Sequence, residues 1–201
     1  MVQLEQGKEA LVIVDVQNDF LPGGRLAVPG GDEVIPVLNR YIAGAERDHL
    51  PIFATRDWHP PNHCSFRTQG GQWPVHCVME TEGAGFPASL RLPSRAVLIS
   101  KGMLPDKEAY SGFEGTALEE RLHGAGVGTL YVGGLATDYC VLNTVKDALN
   151  KGFRVFLLKD AVRAVNLRPE DGRNAEQEMR RFGALAFQLV EWPECAKHQA
   201  V

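Results

Sequence analysis

GTLYVGGLATDYCVLNTVKDALN, residues 128–150, changes periodicity within a few residues. Residues 128–134 form a short run rich in apolar residues and ending in Gly-Gly, which reads as a strand. From residue 138 the apolar positions Val141, Leu142, Val145, Ala148 and Leu149 keep helical spacing, predicting a helix over 138–151 with Thr137 or Asp138 as its cap. A strand feeding a helix through so short a turn is half of a parallel β-α-β unit. Cys140 falls in the first helical turn, where unpaired N–H groups and the helix dipole favour a thiolate.

The same alternation extends both ways. Runs 10–16, 51–57, 95–100, 153–158 and 184–189 read as further strands, and 33–48, 114–124 and 169–182 as helices. Asp32 is the expected cap of the first helix, and Pro36 sits near its first turn, where a missing N–H costs least. Alternating strand and helix imply right-handed crossovers and a three-layer α/β/α fold around a six-stranded, mostly parallel sheet. At 201 residues the chain is expected to be one domain, 1–201, able to bury a core without disulfides. Segment 58–94 breaks the rhythm: it is rich in proline and glycine and has no strong period. Long irregular connections in compact domains are usually functional, so it is expected to form the lid and wall of a site.

Composition removes several functions. With 44% hydrophobic and 23% charged residues the chain is globular, neither disordered nor a coiled coil. A net charge of −4 argues against nucleic acid or an anionic membrane as partner. No apolar run approaches a membrane span, and the start, MVQLEQGKEALVIVDV, lacks the basic and cleavage regions of a signal peptide. The expectation is a soluble, cytoplasmic enzyme or binding domain. Cys64, Cys77, Cys140 and Cys195 are irregularly spaced, which suits neither a disulfide framework nor a structural zinc.

In a parallel sheet, ligands bind beyond the carboxyl ends of the strands. Asp15 lies at the end of the first strand, Asp57 and His59 after the second, Lys101 after the third and Cys140 after the fourth. Any one of these could be an ordinary solvated strand end. An acid, an ammonium and a thiol together on one edge point to nucleophilic catalysis on an acyl or amide carbon. Asp57 and His59, two apart in extended chain, can face one ion, with His63 and His76 close behind. Mixed Asp and His ligands suit a catalytic zinc, iron or manganese. His123 and His198 have no such company and are expected at the surface.

Read together, VDVQNDF at 14–20, RDWHPPNHCSF at 56–66, WPVHC at 73–77, SKG at 100–102, YSGFEGT at 110–116 and GLATDYCV at 134–141 resemble the nicotinamidases (pyrazinamidases) of the isochorismatase-like hydrolases. The resemblance implies hydrolysis of nicotinamide to nicotinate and ammonia through a cysteine thioester, as in NAD salvage, with pyrazinamide as a related substrate. It makes Asp15, Lys101 and Cys140 the catalytic triad. Asp57, His59 and His76 become ligands of one divalent ion, Zn2+ with Fe2+ or Mn2+ as alternatives, and His63 matches a position that ligates metal in some members only. Phe20, Trp73 and Tyr110 become walls of the substrate pocket. The resemblance also implies a cis Leu135–Ala136 peptide and an oxyanion hole from the N–H groups of Ala136 and Cys140. Metal-free relatives, isochorismatases and carbamoyl-sarcosine amidases, are the rivals, and Asp57, His59 and His76 together count against both. An inactive member serving as a binding partner is a third reading, disfavoured because all three triad positions are filled. Oligomeric state, monomer or homo-oligomer, is left open.

Overall fold

The computed structural model describes residues 7–192. Cys195 and His198 lie outside the described residues. Six strands form one sheet in the order β3-β2-β1-β4-β5-β6, and every adjacent pair is parallel. The strands are β1 (Lys8–Val14), β2 (Ile52–Asp57), β3 (Val97–Lys101), β4 (Val127–Leu135), β5 (Arg154–Arg163) and β6 (Leu185–Phe187). The helices are α1 (Val34–Arg47), α2 (Leu118–Gly124), α3 (Leu142–Asn150) and α4 (Asp171–Phe182).

β1 explains the layering. Its residues alternate between two cores, Leu11 and Ile13 on one face and Ala10, Val12 and Val14 on the other, all fully buried. α1 covers the first face through Leu38, Tyr41, Ile42 and Ala45. α2, α3 and α4 cover the second through Leu118, Leu122, Val145, Ala148 and Met179. Because neither face meets water, the strand needs no polar alternation, which is why its sequence is a continuous apolar run.

Several boundaries differ from the sequence reading, each for a local reason. β1 ends at Val14, not 16, because Asp15 turns the chain with a φ of 48°. β5 runs on to Arg163, past the end of its apolar run. There Asp160 accepts hydrogen bonds from the Tyr41 hydroxyl and the Leu189 N–H, and Lys159 pairs with Glu176 at 3.2 Å, so polar residues are held inside a strand. Helix α2 starts at Leu118, not 114, since Gly115 sits at a φ of 67° and the Thr116 hydroxyl takes up the Leu118 N–H. Asp32 lies in a 3-10 turn before α1 and makes no cap hydrogen bond. Segment 58–94 holds only 3-10 turns and two isolated bridges, His59 to Val78 and Phe66 to Trp73.

The strand order reverses direction between β1 and β4, so the loops after these two strands diverge to opposite faces and leave a crevice. Asp15 leaves β1 there and Cys140 follows β4. No helix among the described residues is long and apolar enough to cross a membrane.

Candidate active site

After β4 the chain makes a cis Leu135–Ala136 peptide and then one π-helical turn, Thr137–Val141, before α3 begins. Cys140 lies in that turn, a wider one than the ordinary α-helical start read from the sequence. Neither Thr137 nor Asp138 caps the helix. The Asp138 carboxylate instead accepts the N–H groups of Val165 and Asn166, both at 2.9 Å, and so ties the loop after β5 to the site.

The centre of the site is the Lys101 ammonium, which is wholly buried. It lies 2.9 Å from Asp15 Oδ2, 2.5 Å from Asp57 Oδ1, 3.0 Å from the Ala109 carbonyl oxygen and 3.4 Å from Cys140 Sγ. Burial alone would drive its proton off, but the two carboxylates outweigh that and push its pKa well above the ordinary lysine value. Asp15 Oδ1 accepts a 2.6 Å hydrogen bond from the Thr55 hydroxyl. Its other oxygen, Oδ2, has the ion pair with Lys101 but no well-directed hydrogen bond among the described residues. A buried acceptor of that kind is ready to take a proton. Burial raises the Asp15 carboxyl, with Lys101 opposing.

The structure reverses one expectation. Burial pushes the Cys140 thiol well up, Lys101 opposes, and the Asp15 and Asp57 charges add to the rise, where the helical start alone favours a lowered value. Low dielectric and two nearby carboxylates outweigh the helical start and the ammonium.

Beside this group stand Asp57, His59 and His76, all buried, with ligand atoms within 4.8 Å of one another. His59 Nδ1 contacts the Gly102 carbonyl oxygen at 2.9 Å and His76 Nδ1 that of Pro74 at 2.7 Å. Each contact fixes the tautomer with Nδ1 as donor and leaves Nε2 as a lone-pair donor, the arrangement metal-binding histidines need. One carboxylate oxygen and two imidazole nitrogens, dry and convergent, fit a divalent cation. Burial raises the Asp57 carboxyl, but Lys101 and His59 outweigh it and hold it far below the usual range. Asp57 thus belongs to both groups, with Oδ1 on Lys101 and Oδ2 3.6 Å from His59 Nε2. His63 stands outside the trio: its ring stacks on His59 at 4.1 Å, Nδ1 meets the Ser65 hydroxyl and Nε2 the Lys107 carbonyl oxygen.

Phe20, Trp73 and Tyr110 all line one pocket together with Ala136 and Cys140. Phe20 packs against the His76 ring at 5.7 Å, and Trp73 Nε1 donates to the Tyr110 hydroxyl at 2.9 Å. Burial pushes that phenol up to about 12. His123 is exposed, stacked on Phe153.

The sequence reading missed three residues. Gln17 is fully buried; its side chain donates to the Asp57 carbonyl oxygen at 2.8 Å and accepts the Asp57 N–H at 2.7 Å, holding that backbone from both sides. Thr55 orients Asp15. Tyr139, next to Cys140, lines the pocket. Gln17 stands inside the VDVQNDF motif, two residues from Asp15, and Tyr139 inside GLATDYCV, next to Cys140, and that proximity was the available signal; Thr55 had none.

A parallel α/β fold whose buried thiol, carboxylate and ammonium meet at the sheet's switch point defines an enzyme of the cysteine-hydrolase class. Residues 9–187 match the Isochorismatase domain, and the chain belongs to that family. It is 39% identical to the nicotinamidase of Escherichia coli, over 92% of this chain and 97% of that protein. Among solved structures it is similar to the pyrazinamidase of Pyrococcus horikoshii in complex with zinc (53% identity, TM-score 0.87, covering 90% of this chain and 99% of that one). It is also similar to PnC1 of L. infantum in complex with nicotinate (36% identity, TM-score 0.83, 93% and 96% covered).

Proposed function

We propose that this protein is an amidohydrolase that converts nicotinamide to nicotinate and ammonia, with pyrazinamide as a second substrate. The observation that carries this reading is the Lys101 ammonium, within 3.4 Å of Asp15, Asp57 and Cys140, under an aromatic pocket of single-ring size. Support comes from relatives named for nicotinamide and pyrazinamide hydrolysis, one of them solved with nicotinate bound.

Phe20, Trp73 and Tyr110 clamp the ring, which brings the carboxamide carbon to Cys140 Sγ. Asp15 Oδ2 takes the thiol proton as sulfur attacks the carbon. The oxyanion settles on the backbone N–H groups of Ala136 and Cys140. Asp15 returns its proton to the amide nitrogen, the C–N bond breaks, and ammonia leaves a thioester on Cys140. Asp15 then removes a proton from water, whose oxygen attacks the thioester carbon. The C–S bond breaks, the proton passes to sulfur, and nicotinate is released. Lys101 stays protonated throughout and steadies the charge passing between Asp15 and Cys140. Asp57, His59 and His76 would hold a divalent ion, zinc by preference with iron(II) or manganese(II) as alternatives, which supplies a Lewis-acid contact for the pyridine nitrogen. Segment 58–94 brings Trp73, His76 and His59 to the pocket and serves as its wall within a single hydrolase domain.

Ammonia release from nicotinamide and from benzamide by one zinc-loaded sample tests the reading. Nicotinamide is turned over, and benzamide, lacking the ring lone pair, falls behind by ~10⁴-fold or more. Equal rates would refute recognition of the ring nitrogen, and no ammonia from nicotinamide would refute the activity.

A further inference from the structure

We propose that Tyr139 sets the size limit on the substrate's ring, by standing as a shared wall between the reaction pocket and a larger outer cavity. The inference rests on the amide-hydrolase reading above.

Two cavities meet at this residue. The inner one, which holds Cys140 and the Asp57–His59–His76 group, has a volume of about 40 Å³. The outer one, about 450 Å³, lies between the start of α3 and the start of α4, with Gln72, Leu142, Leu167, Arg168 and Ala175 among its walls. Tyr139 is the one residue common to both linings. Its ring meets Trp73 edge-on at 5.0 Å and lies tilted against Tyr110 at 5.7 Å, so it closes the row of aromatics that begins with the substrate clamp.

The backbone under this wall is fixed. The Tyr139 N–H donates to the Ala136 carbonyl oxygen at 3.1 Å, and its own carbonyl oxygen accepts from Asn143 Nδ2 at 2.8 Å. Tyr139 also directly precedes Cys140, so moving its backbone would move the nucleophile. Only the side chain can open the partition. The inner pocket, walled by Phe20, Trp73, Tyr110 and Tyr139, is where the substrate's ring would lie with the partition shut. An alkyl or aryl substituent on that ring needs the outer cavity, whose Leu142 and Leu167 would receive it and whose Gln72 and Arg168 would take a polar end. With the phenol in place that path is closed, and specificity for unsubstituted rings follows from exclusion.

The test compares kcat/KM for nicotinamide with kcat/KM for nicotinamides bearing a propyl group at ring position 4, 5 or 6. It is run on the wild type, Tyr139→Phe, Tyr139→Ala and Tyr139→Leu. The wild type is expected to discriminate against all three isomers by ~100-fold or more. Tyr139→Ala should narrow that ratio at least ~10-fold for one isomer or more, and Tyr139→Phe, which keeps the ring, should leave it within about 3-fold. Tyr139→Leu, closer in bulk to the native side chain, is read by the same ratio and carries the test if the alanine variant does not fold. A wild type that accepts the propyl amides as well as nicotinamide would overturn the inference. So would unchanged discrimination in the truncated variants. Absence of turnover of nicotinamide by the wild type would instead overturn the amide-hydrolase reading, and this inference with it.

Discussion

In the proposed mechanism proton transfer turns on Asp15, and its two oxygens are treated differently. Oδ1 is held by the Thr55 hydroxyl at 2.6 Å, while Oδ2 faces Lys101 and the thiol. Removing the hydroxyl frees the carboxylate to rotate away from Cys140. A hydrogen bond to a charged group is worth about 1.5–3 kcal/mol, so Thr55→Val should lower kcat for nicotinamide roughly 10–100-fold. KM should change less than about 3-fold, because Thr55 lies outside the substrate pocket, and Thr55→Ser should restore most of the rate. Equal losses in the valine and serine variants would show that Thr55 matters for packing alone. The acid, the lysine and the thiol were legible in the sequence because each stands at a strand end, where chemistry in a parallel sheet belongs. Thr55 was not, since a threonine inside a strand is ordinary until its hydroxyl is seen to meet a catalytic carboxylate. The upward shift of the Cys140 thiol was illegible for a similar reason: helix position can be read from spacing, but burial and carboxylate neighbours come only from the folded chain.

At the scale of elements, two glycines at strand ends hold the site in register. Gly102, just past β3, has a φ of 62°, and a Cβ there would stand 2.5 Å from the His59 ring. Gly102→Ala should therefore push His59 out of line and weaken zinc binding roughly 10–100-fold while the protein stays folded. A competitive chelator titration reads this directly, and unchanged affinity would show that His59 adjusts freely. Gly134, near the end of β4, has a φ of 123°, and a Cβ there would collide with the Val14 carbonyl oxygen on the neighbouring strand. Gly134→Ala should cost about 3 kcal/mol and lower Tm by roughly 6–12 °C, since 1 kcal/mol moves a domain of this size by about 2–4 °C. A Tm within about 2 °C of wild type would contradict the close approach of β1 and β4. The existence of all six strands was readable from apolar runs, most plainly for the inner strands such as β1, whose burial on both faces leaves no polar alternation, and less plainly for the partly exposed edge strands β3 and β6. Their ends were less so. β5 outlasts its apolar run because Asp160 and Lys159 find partners on α1, α4 and the chain after β6, contacts distant in sequence.

For the molecule as a whole, topology gathers groups that the sequence scatters over some 125 positions, from Asp15 to Cys140. The reversal of strand order between β1 and β4 sets the acid and the thiol on either side of one crevice, and β2 and β3 bring Asp57 and Lys101 to the same edge. One consequence was hidden in the one-dimensional reading. The proposed catalytic and metal-binding groups seemed separate because their residues follow different strands, yet Asp57 joins them by bonding Lys101 with one oxygen and facing His59 with the other. The central proposal is covalent catalysis at Cys140, among the described residues the only cysteine against the ammonium. Ammonia release from nicotinamide by zinc-loaded wild type, Cys140→Ala and Cys64→Ala tests it most directly, with circular dichroism and zinc content confirming that each variant is folded and loaded. The prediction is a loss of at least ~10⁴-fold for Cys140→Ala and a rate within about 2-fold of wild type for Cys64→Ala. A folded, zinc-loaded Cys140→Ala protein that still releases ammonia at an appreciable fraction of the wild-type rate would contradict a cysteine nucleophile.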